Sequence, residues 1–431
     1  MVRMSCMENH IEEATYPLTF RTKDSENLGN HIKNRHTVVL VGMKRVGISN
    51  FLRFFLNKKG VREKYITDNK NHLFIPIDLN DLVERELYPF WVLTLKRIED
   101  AVVRSNVSPK TKKYIENLFL DSIQSQDLFM TIDSVRKSLV LLVEEDIVPT
   151  IFFLRFDRMQ EVVTPDFFSN LQGLVDACHK NLSYVFTSVR SLESLSSTVF
   201  TRASVSVFAR TLYIQPGTSH DSEIIFDRIS KKYGTSYSSQ TKKLILTIVD
   251  GYAQYLQFAL AYLHEKKENV SKDLFKELLS DERIALQSEE LFESLIGEEK
   301  EILLKVVFSK GITADEKDKA SYLWNTGIIK NDMIFSQLFE RFVIDKGGQF
   351  TEITKKEFSK KEHTLLQLLE DNKGMLCERE TIIQTVWPEA ESYGVSDWAV
   401  DRLVARLRGK LKNSKNDYEI VTVKTRGFKL N

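Results

Sequence analysis

Long apolar runs, proline and cysteine are all scarce in this chain of 431 residues. No apolar stretch approaches the roughly 20 residues that a membrane-spanning helix requires, so we expect no contact with a membrane. Only 8 prolines stand among many helix-favouring residues, which predicts a mostly helical body. The three cysteines, Cys6, Cys178 and Cys377, lack the spacing of a metal or redox motif. Together with an N-terminus too acidic and polar for a secretory signal, they indicate a reducing, cytoplasmic location.

Charge is almost balanced over the whole chain but concentrated at its C-terminal end. The formal net charge is +1, whereas the residues from Arg402 onward include nine basic and two acidic side chains. A local excess of this size attracts the phosphate backbone of DNA. The alternative is a basic surface that only faces solvent. With 42% apolar and 28% charged residues, the chain as a whole is expected to form two to four globular domains.

The basic region contains an amphipathic helix over residues 396–411. Its apolar side chains recur with helical spacing: Trp398, Val400, Leu403, Val404, Leu407 and Leu411. Upstream, residues 358–387 predict a helix, a turn, a short strand and a second helix. Downstream, residues 418–430 predict two strands joined by a basic turn. Three helices followed by a β-hairpin are typical of a winged helix-turn-helix.

Residues 350–431 resemble the C-terminal DNA-binding domain of OmpR/PhoB-type response regulators. The matching positions are Leu365, Leu366, Gly374, Trp387, Val400, Asp401, Arg406, Leu407, Arg408, Gly427, Phe428 and Lys429. The resemblance implies that Arg402 and Arg406 face base edges, that Arg408 and Lys410 hold phosphates, and that Lys424 or Arg426 approaches the minor groove. Two positions depart from the family pattern. Ala405 stands where the family often has a basic residue, and Arg402 stands where it usually has a small apolar residue. We expect these departures to lower the phosphate affinity and to alter the base preference.

A glycine-rich loop lies near the other end of the chain. An apolar strand over residues 37–41 leads into Gly42, Gly47 and Ser49, which have the spacing of the phosphate-binding motif GxxxxGK[ST], and then into an amphipathic helix. Ile48 stands at the lysine position and cannot supply the positive charge that reaches the terminal phosphates. Lys44 or Arg45 could provide charge from within the loop. The alternative is an ordinary strand, turn and helix with two turn glycines.

Further strands are predicted at residues 73–79, 149–159, 183–190 and 211–216, with helices between them. This alternation indicates an α/β core with a parallel sheet covered on both faces. The order of elements resembles P-loop ATPases of the AAA+ and STAND classes. The resemblance implies nucleotide contacts from Gly42, Lys44, Arg45, Gly47, Ser49, Asn50, Asp157 and Arg190, with Asp157 also the candidate Mg²⁺ ligand. Arg158 follows Asp157 where hydrolysing relatives have an acidic residue, so we do not expect ATP hydrolysis.

The middle of the chain is predicted to be helical. Residues 250–257 resemble the start of a lid helix in Orc/Cdc6-like ATPases, with Gln254 at the usual proline, although an ordinary amphipathic helix would give a similar pattern. Residues 297–343 predict a small winged helix of mixed charge, better suited to packing than to DNA, and residues 345–349 a flexible hinge. The acidic pairs Asp78 with Asp81 and Glu289 with Glu290 are interpreted as helix-start and solvated charges.

The predicted organisation has five parts and one main function. They are an N-terminal extension (1–30), a degenerate P-loop NTPase core (31–217), a helical lid (218–285), a first winged helix (286–345) and an OmpR/PhoB-type winged helix (350–431). The resemblance implies a sequence-specific transcriptional regulator, associated with the nucleoid, whose NTPase module acts as a sensor or oligomerisation platform. The expected partners are double-stranded DNA and a second copy or a signalling protein, with ATP or ADP and Mg²⁺ as cofactors, or none. The alternatives are an ATPase acting in replication origins, transposition or defence, and a scaffold that docks an acidic protein.

Overall fold

The chain folds into two compact units. The computed structural model describes residues 11–195, 208–266, 273–350, 359–388, 395–412, 419–423 and 426–430. Unit 1 comprises Met1–Leu278 and Glu301–Glu340, and unit 2 comprises Leu279–Lys300 and Arg341–Asn431. The chain therefore leaves unit 1 at Leu278, returns to it at Glu301, and leaves it again after Glu340.

Unit 1 is built on a parallel sheet of five strands. The strands are β1 (Val38–Val41), β2 (Asn71–Asp78), β3 (Ile147–Leu154), β4 (Ser183–Ser188) and β5 (Arg210–Tyr213). They lie in the order β2-β3-β4-β1-β5. Every residue of β1 and β4 is buried, as expected for strands covered on both faces. The predicted α/β core with a parallel sheet is confirmed.

Helices connect the strands and continue after them. Up to β5 they are α1 (Thr22–Lys33), α2 (Ile48–Asn57), α3 (Val61–Tyr65), α4 (Leu87–Val103), α5 (Pro109–Ser125), α6 (Leu128–Glu144), α7 (Pro165–Ala177) and α8 (Leu192–Leu195). After β5 follow α9 (Ser219–Tyr233), α10 (Ser239–Val249), α11 (Ala253–Lys266) and α12 (Leu274–Ser280). Local sequence sets several of their starts. Helix α5, for example, begins at Pro109 after Ser108, whose hydroxyl accepts a hydrogen bond from the Thr111 N–H.

Aromatic side chains fill much of the core beside the sheet. The ring of Phe153 lies 5.4 Å from that of Phe186 and 5.1 Å from that of Phe90, and Phe156 meets Phe186 edge-on at 4.7 Å. All four side chains are buried. Such contacts add to the stabilisation that burial of apolar area provides. They fix the carboxyl end of β3, where the candidate Mg²⁺ ligand lies.

Residues 282–350 form further helices and a hairpin and contribute to both units. The elements are α13 (Glu282–Glu293), α14 (Gly297–Val307), α15 (Ala314–Lys319), α16 (Ser321–Asn325), β6 (Ile329–Lys330), β7 (Met333–Ile334) and α17 (Gln337–Phe350). The turn at Gly327, with φ of +77°, precedes the hairpin as predicted. The hinge predicted at residues 345–349 is wrong, because α17 runs through them. Two glycines in a helix cost roughly 1 kcal/mol each, which disfavours a helix without forbidding it.

The C-terminal part of unit 2 contains the elements of a winged helix. They are α18 (Lys360–Asp371), β8 (Cys377–Glu378), α19 (Arg379–Val386), α20 (Asp397–Lys412), β9 (Ile420–Val423) and β10 (Gly427–Leu430). The strands form an antiparallel sheet in the order β8-β10-β9. Gly427 is required where β10 meets β8, because an added Cβ would lie 2.0 Å from the Cys377 carbonyl oxygen. The predicted helices, short strand and hairpin are confirmed.

Among the residues that the structure describes, no helix combines the length and apolar character needed to cross a lipid bilayer.

Candidate functional site

The glycine-rich loop of unit 1 begins at the carboxyl end of β1, which lies between β4 and β5 in the sheet. Val41, the last residue of β1, is paired in register with Ser188 of β4 and Tyr213 of β5. A Cβ on Gly42 would lie 2.8 Å from the Ile214 carbonyl oxygen and 2.9 Å from a methyl group of Val46. Only glycine therefore fits this position. The loop then passes through Gly47, with φ of +107°, into α2.

The start of α2 offers an anion site with one component missing. The first N–H groups of a helix have no hydrogen-bond partner within the helix. They attract negatively charged groups such as phosphate. Ser49 is exposed and Asn50 half-buried on this first turn. The terminal methyl of Ile48 lies 3.2 Å from the point where a Gly42 Cβ would be, so this side chain packs against the loop itself. The site has no lysine at this position to meet a terminal phosphate.

Asp157 lies beyond the end of β3 on a single 3₁₀ turn, Phe156–Met159. The strand stops at Leu154 because Arg155 adopts φ of +59°, and its N–H donates to the Thr187 hydroxyl at 2.7 Å. Burial raises the pKa of Asp157, while the charges of Lys44, Arg155 and Arg158 act to lower it. Lys44 and Asp157, both predicted from the sequence, thus lie on the same side of the sheet edge, near enough for the Lys44 charge to act on the pKa of Asp157. Within the described part of the chain, no group of three or more His, Cys, Asp or Glu side chains could hold a metal ion.

Arg190 and Arg45 are placed differently from the other predicted nucleotide contacts. The Arg190 guanidinium lies 3.9 Å from the ring centroid of Tyr322, which covers it. Its backbone N–H donates to the Ser188 hydroxyl at 3.2 Å. Arg45 is exposed and adopts φ of +59°. Arg190 therefore packs on an aromatic ring in this arrangement.

Two residues that sequence reasoning missed hold the loop in place. The buried Arg21 donates hydrogen bonds to the carbonyl oxygens of Val46, at 3.3 Å, and Gln215, at 2.6 Å. The Tyr252 hydroxyl donates to the Lys44 carbonyl oxygen at 2.6 Å. Arg21 also lines a cavity of about 600 Å³. Its position in the predicted N-terminal extension gave no signal, because its partners lie far along the chain.

In unit 2, α20 presents one apolar and one basic side. Leu403, Val404 and Leu407 are completely buried in the core of the winged helix. Arg402 and Arg406, spaced by four residues, lie on a common face of the helix. Their side chains are 31% and 34% exposed. The structure thus brings together the two arginines predicted to contact base edges.

These two arginines are paired with acidic side chains of α13. A guanidinium nitrogen of Arg406 lies 2.8 Å from Glu289 Oε1, and one of Arg402 lies 2.5 Å from Glu293 Oε1. The interpretation of Glu289 and Glu290 as solvated charges is wrong, since both side chains are buried. The sequence around Glu289 and Glu293 gave no indication of partners more than a hundred residues away.

The remaining basic residues predicted for DNA have diverse surroundings. Arg408 donates to the Ile420 carbonyl oxygen at 2.9 Å and to the Thr422 hydroxyl at 2.8 Å, so it ties α20 to β9. Arg426 is 65% exposed and lies 3.5 Å from Glu378. Lys410 is within α20, but its side chain lies outside the described residues, as does the whole of Lys424.

The fold defines a class of protein that combines two units. One is a parallel α/β unit with a glycine-rich loop of the phosphate-binding type, and the other contains a winged helix. Residues 354–430 match the family described as "Transcriptional regulatory protein, C terminal". The resemblance predicted for the C-terminal residues is thereby confirmed, and this segment is a domain of that family. No curated protein matches the chain in sequence.

Several solved structures are similar in backbone. The Walker-type ATPase PABY2304 of Pyrococcus abyssi is 16% identical with a TM-score of 0.47, over 77% of this chain and 99% of that one. The ORC2 protein of Aeropyrum pernix, in ADPNP–ADP complexes, is 13% identical with a TM-score of 0.48, over 94% and 99%. The ORC1 protein of Aeropyrum pernix in complex with DNA is 11% identical with a TM-score of 0.41, over 99% and 91%. Similarity at this level concerns the path of the backbone alone.

Proposed function

We propose that this protein is a sequence-specific DNA-binding transcriptional regulator. The observation that carries the proposal is the basic face of α20 within a segment that matches a transcriptional regulatory domain. A helix of this kind fits the major groove of B-DNA, and its arginines can bond guanine through two hydrogen bonds. In this proposal Arg402 and Arg406 contact bases, and the wing that carries Arg426 contacts the backbone or the minor groove.

Arg408 has a supporting role in this proposal. Because its guanidinium holds β9 through two hydrogen bonds, it fixes the wing relative to the recognition helix. Phosphate contacts then fall mainly to the lysines that follow Arg408 in the sequence. Since phosphate contacts position a protein on the duplex while base contacts specify the sequence, this division leaves specificity with Arg402 and Arg406.

The proposal is tested by selecting binding sites from random duplex DNA with the full-length protein. Enrichment of one motif, followed by binding to that motif at least ~10³-fold tighter than to scrambled DNA at the same salt concentration, is the expected result. Affinity without sequence preference would instead favour a non-specific DNA-directed protein. Binding to acidic proteins but to no DNA would favour the scaffold alternative.

We also propose that unit 1 is a nucleotide sensor rather than an ATPase. The start of α2 can hold a phosphate group, and Asp157 beside the Lys44 charge can hold Mg²⁺ through its hydration shell. Ile48 and Arg158 stand where hydrolysis would need a lysine and a second acid. In this proposal the module gates DNA binding or association with a second copy or a signalling protein.

Ile48→Lys is expected to tighten binding of ATP with Mg²⁺ by at least ~10-fold, because it adds a charge-assisted hydrogen bond to phosphate in a partly buried site. Isothermal titration calorimetry of the full-length wild-type and variant proteins with ATP and ADP measures the change. Ile48→Met is the matched control, since it has similar length without the charge. If neither wild type nor Ile48→Lys binds nucleotide at millimolar concentration, the sensor proposal is wrong and the loop is purely structural.

A further inference from the structure

Helix α13 lies on the arginines that would contact DNA. Glu289 Oε1 is 2.8 Å from one guanidinium nitrogen of Arg406 and 3.9 Å from Nε of Arg402. Glu293 Oε1 is 2.5 Å from a terminal nitrogen of Arg402. The Glu289 side chain is only 8% exposed. The same carboxylates also pair with lysines, Glu289 with Lys346 at 3.6 Å and Glu293 with Lys300 at 2.7 Å. Two carboxylates therefore lie directly against the two arginines on the recognition face of α20.

A single face of α13 makes these contacts. Leu286, Glu289 and Glu293 are spaced by three and four residues, which places them on one side of a helix. Leu286 packs against the apolar core of the winged helix. One turn earlier, Glu282 forms an ion pair with Lys361 at the start of α18. Helix α13 is thus docked on the winged helix by apolar and ionic contacts together, and we refer to it as the covering helix.

We propose that the covering helix is an autoinhibitory element that must leave α20 before the protein binds its DNA site. This inference rests on the proposed function, because it assigns the occupied arginines to DNA. It adds a closed state in which the chain supplies its own acidic substitute for the nucleic acid.

Simultaneous binding of the covering helix and DNA is excluded on two grounds. The major groove is about 12 Å wide and admits one α-helix, whose diameter with side chains is about 10–12 Å. Glu293 and Glu289 also occupy terminal guanidinium nitrogens of Arg402 and Arg406 that paired hydrogen bonds to guanine would use. In this proposal the apparent DNA affinity is the affinity of the open state multiplied by the fraction of molecules that are open.

Full-length Glu289→Gln/Glu293→Gln is the first test variant, because it removes both charges and almost no volume. Its matched control is Glu298→Gln/Glu370→Gln, which removes two charges from exposed positions of the same unit. A second test variant, Leu286→Ala, loosens the covering helix without changing the net charge. Circular dichroism establishes that each variant is folded. Fluorescence anisotropy with a labelled duplex of the selected sequence, at one salt concentration, measures affinity.

We expect Glu289→Gln/Glu293→Gln and Leu286→Ala each to bind the duplex ~5- to 150-fold more tightly than wild type, the range typical of coupling between two states. The control is expected to stay within ~3-fold of wild type, as for exposed charges screened by salt. If wild type binds its site and neither test variant binds more tightly, the covering helix is not inhibitory and the proposed function stands. If the control gains as much as the test variants, the effect is general electrostatics and the inference is wrong. If no variant binds DNA at low salt, the proposed function itself fails.

Discussion

Leu403→Ala is expected to destabilise unit 2 by ~2–5 kcal/mol, because it removes a buried side chain and leaves a cavity. Leu403 is completely buried between the helices and the wing, among side chains that include Trp387 and Phe428. Small domains have a total stability of only ~5–15 kcal/mol, so this loss is a large fraction of it. Native-state hydrogen exchange, read by mass spectrometry on peptides from residues 359–430, measures the change in this unit separately from unit 1.

Met375→Ala is the matched control for this experiment. Its side chain belongs to the same unit but is 60% exposed, so the expected change lies within ~0.5 kcal/mol. Unchanged exchange in Leu403→Ala would show that α20 is not part of the core that the structure assigns to it. In Leu403→Ala, DNA binding should fall together with the stability of unit 2. A variant that loses only a DNA contact would instead keep its stability.

Arg406→Ala is expected to reduce discrimination between the preferred site and a site changed at one base pair by ~1–3 kcal/mol, or ~5- to 150-fold, because a bidentate contact to guanine is lost. Affinity alone is a poor measure, since Arg406 also holds Glu289 in the closed arrangement. The free energy of opening is common to both DNA sequences and cancels in their ratio. Competition binding with the two duplexes therefore isolates the base contact.

Arg341→Ala serves as the control, because it removes one positive charge from an exposed position of unit 2 that pairs with Asp345. It is expected to leave discrimination unchanged while weakening binding to all sequences slightly. Equal discrimination by Arg406→Ala and wild type at every position of the site would remove Arg406 from the base-reading residues. The same experiment on Arg402→Ala then decides whether the base contacts come from that residue instead.

The winged helix could be predicted in detail because its determinants are local. The spacing of Leu403, Val404 and Leu407 fixes the buried face of α20, and short turns fix the order of the elements around it. The glycine-rich loop was predictable from the local spacing of Gly42, Gly47 and Ser49. The structural requirement for Gly42 is only partly local, because the Ile214 carbonyl oxygen as well as Val46 excludes a side chain there.

The contacts that matter for control could not be predicted, because they join distant parts of the sequence. Arg406 and Glu289 are separated by 117 residues, and Arg402 and Glu293 are separated by 109. No periodic pattern marks such pairs, so Glu289 had the properties of an ordinary surface acid. The helix through residues 345–349 was missed for a related reason, since local glycine preference was outweighed by the rest of the helix.

Leu286 lies outside the segment that matches the family, although it packs against the core of the winged helix. The C-terminal domain is therefore less independent of the rest of the chain than its family membership implies. Residues 354–430 would carry the recognition helix and wing into another protein, but they would leave behind the side chain that covers part of their core and the acids that fit their arginines. Exchange of this domain between chains during evolution would therefore have to be followed by matching changes in α13. We expect positions 289 and 293 to vary together with positions 402 and 406 among proteins that share this architecture.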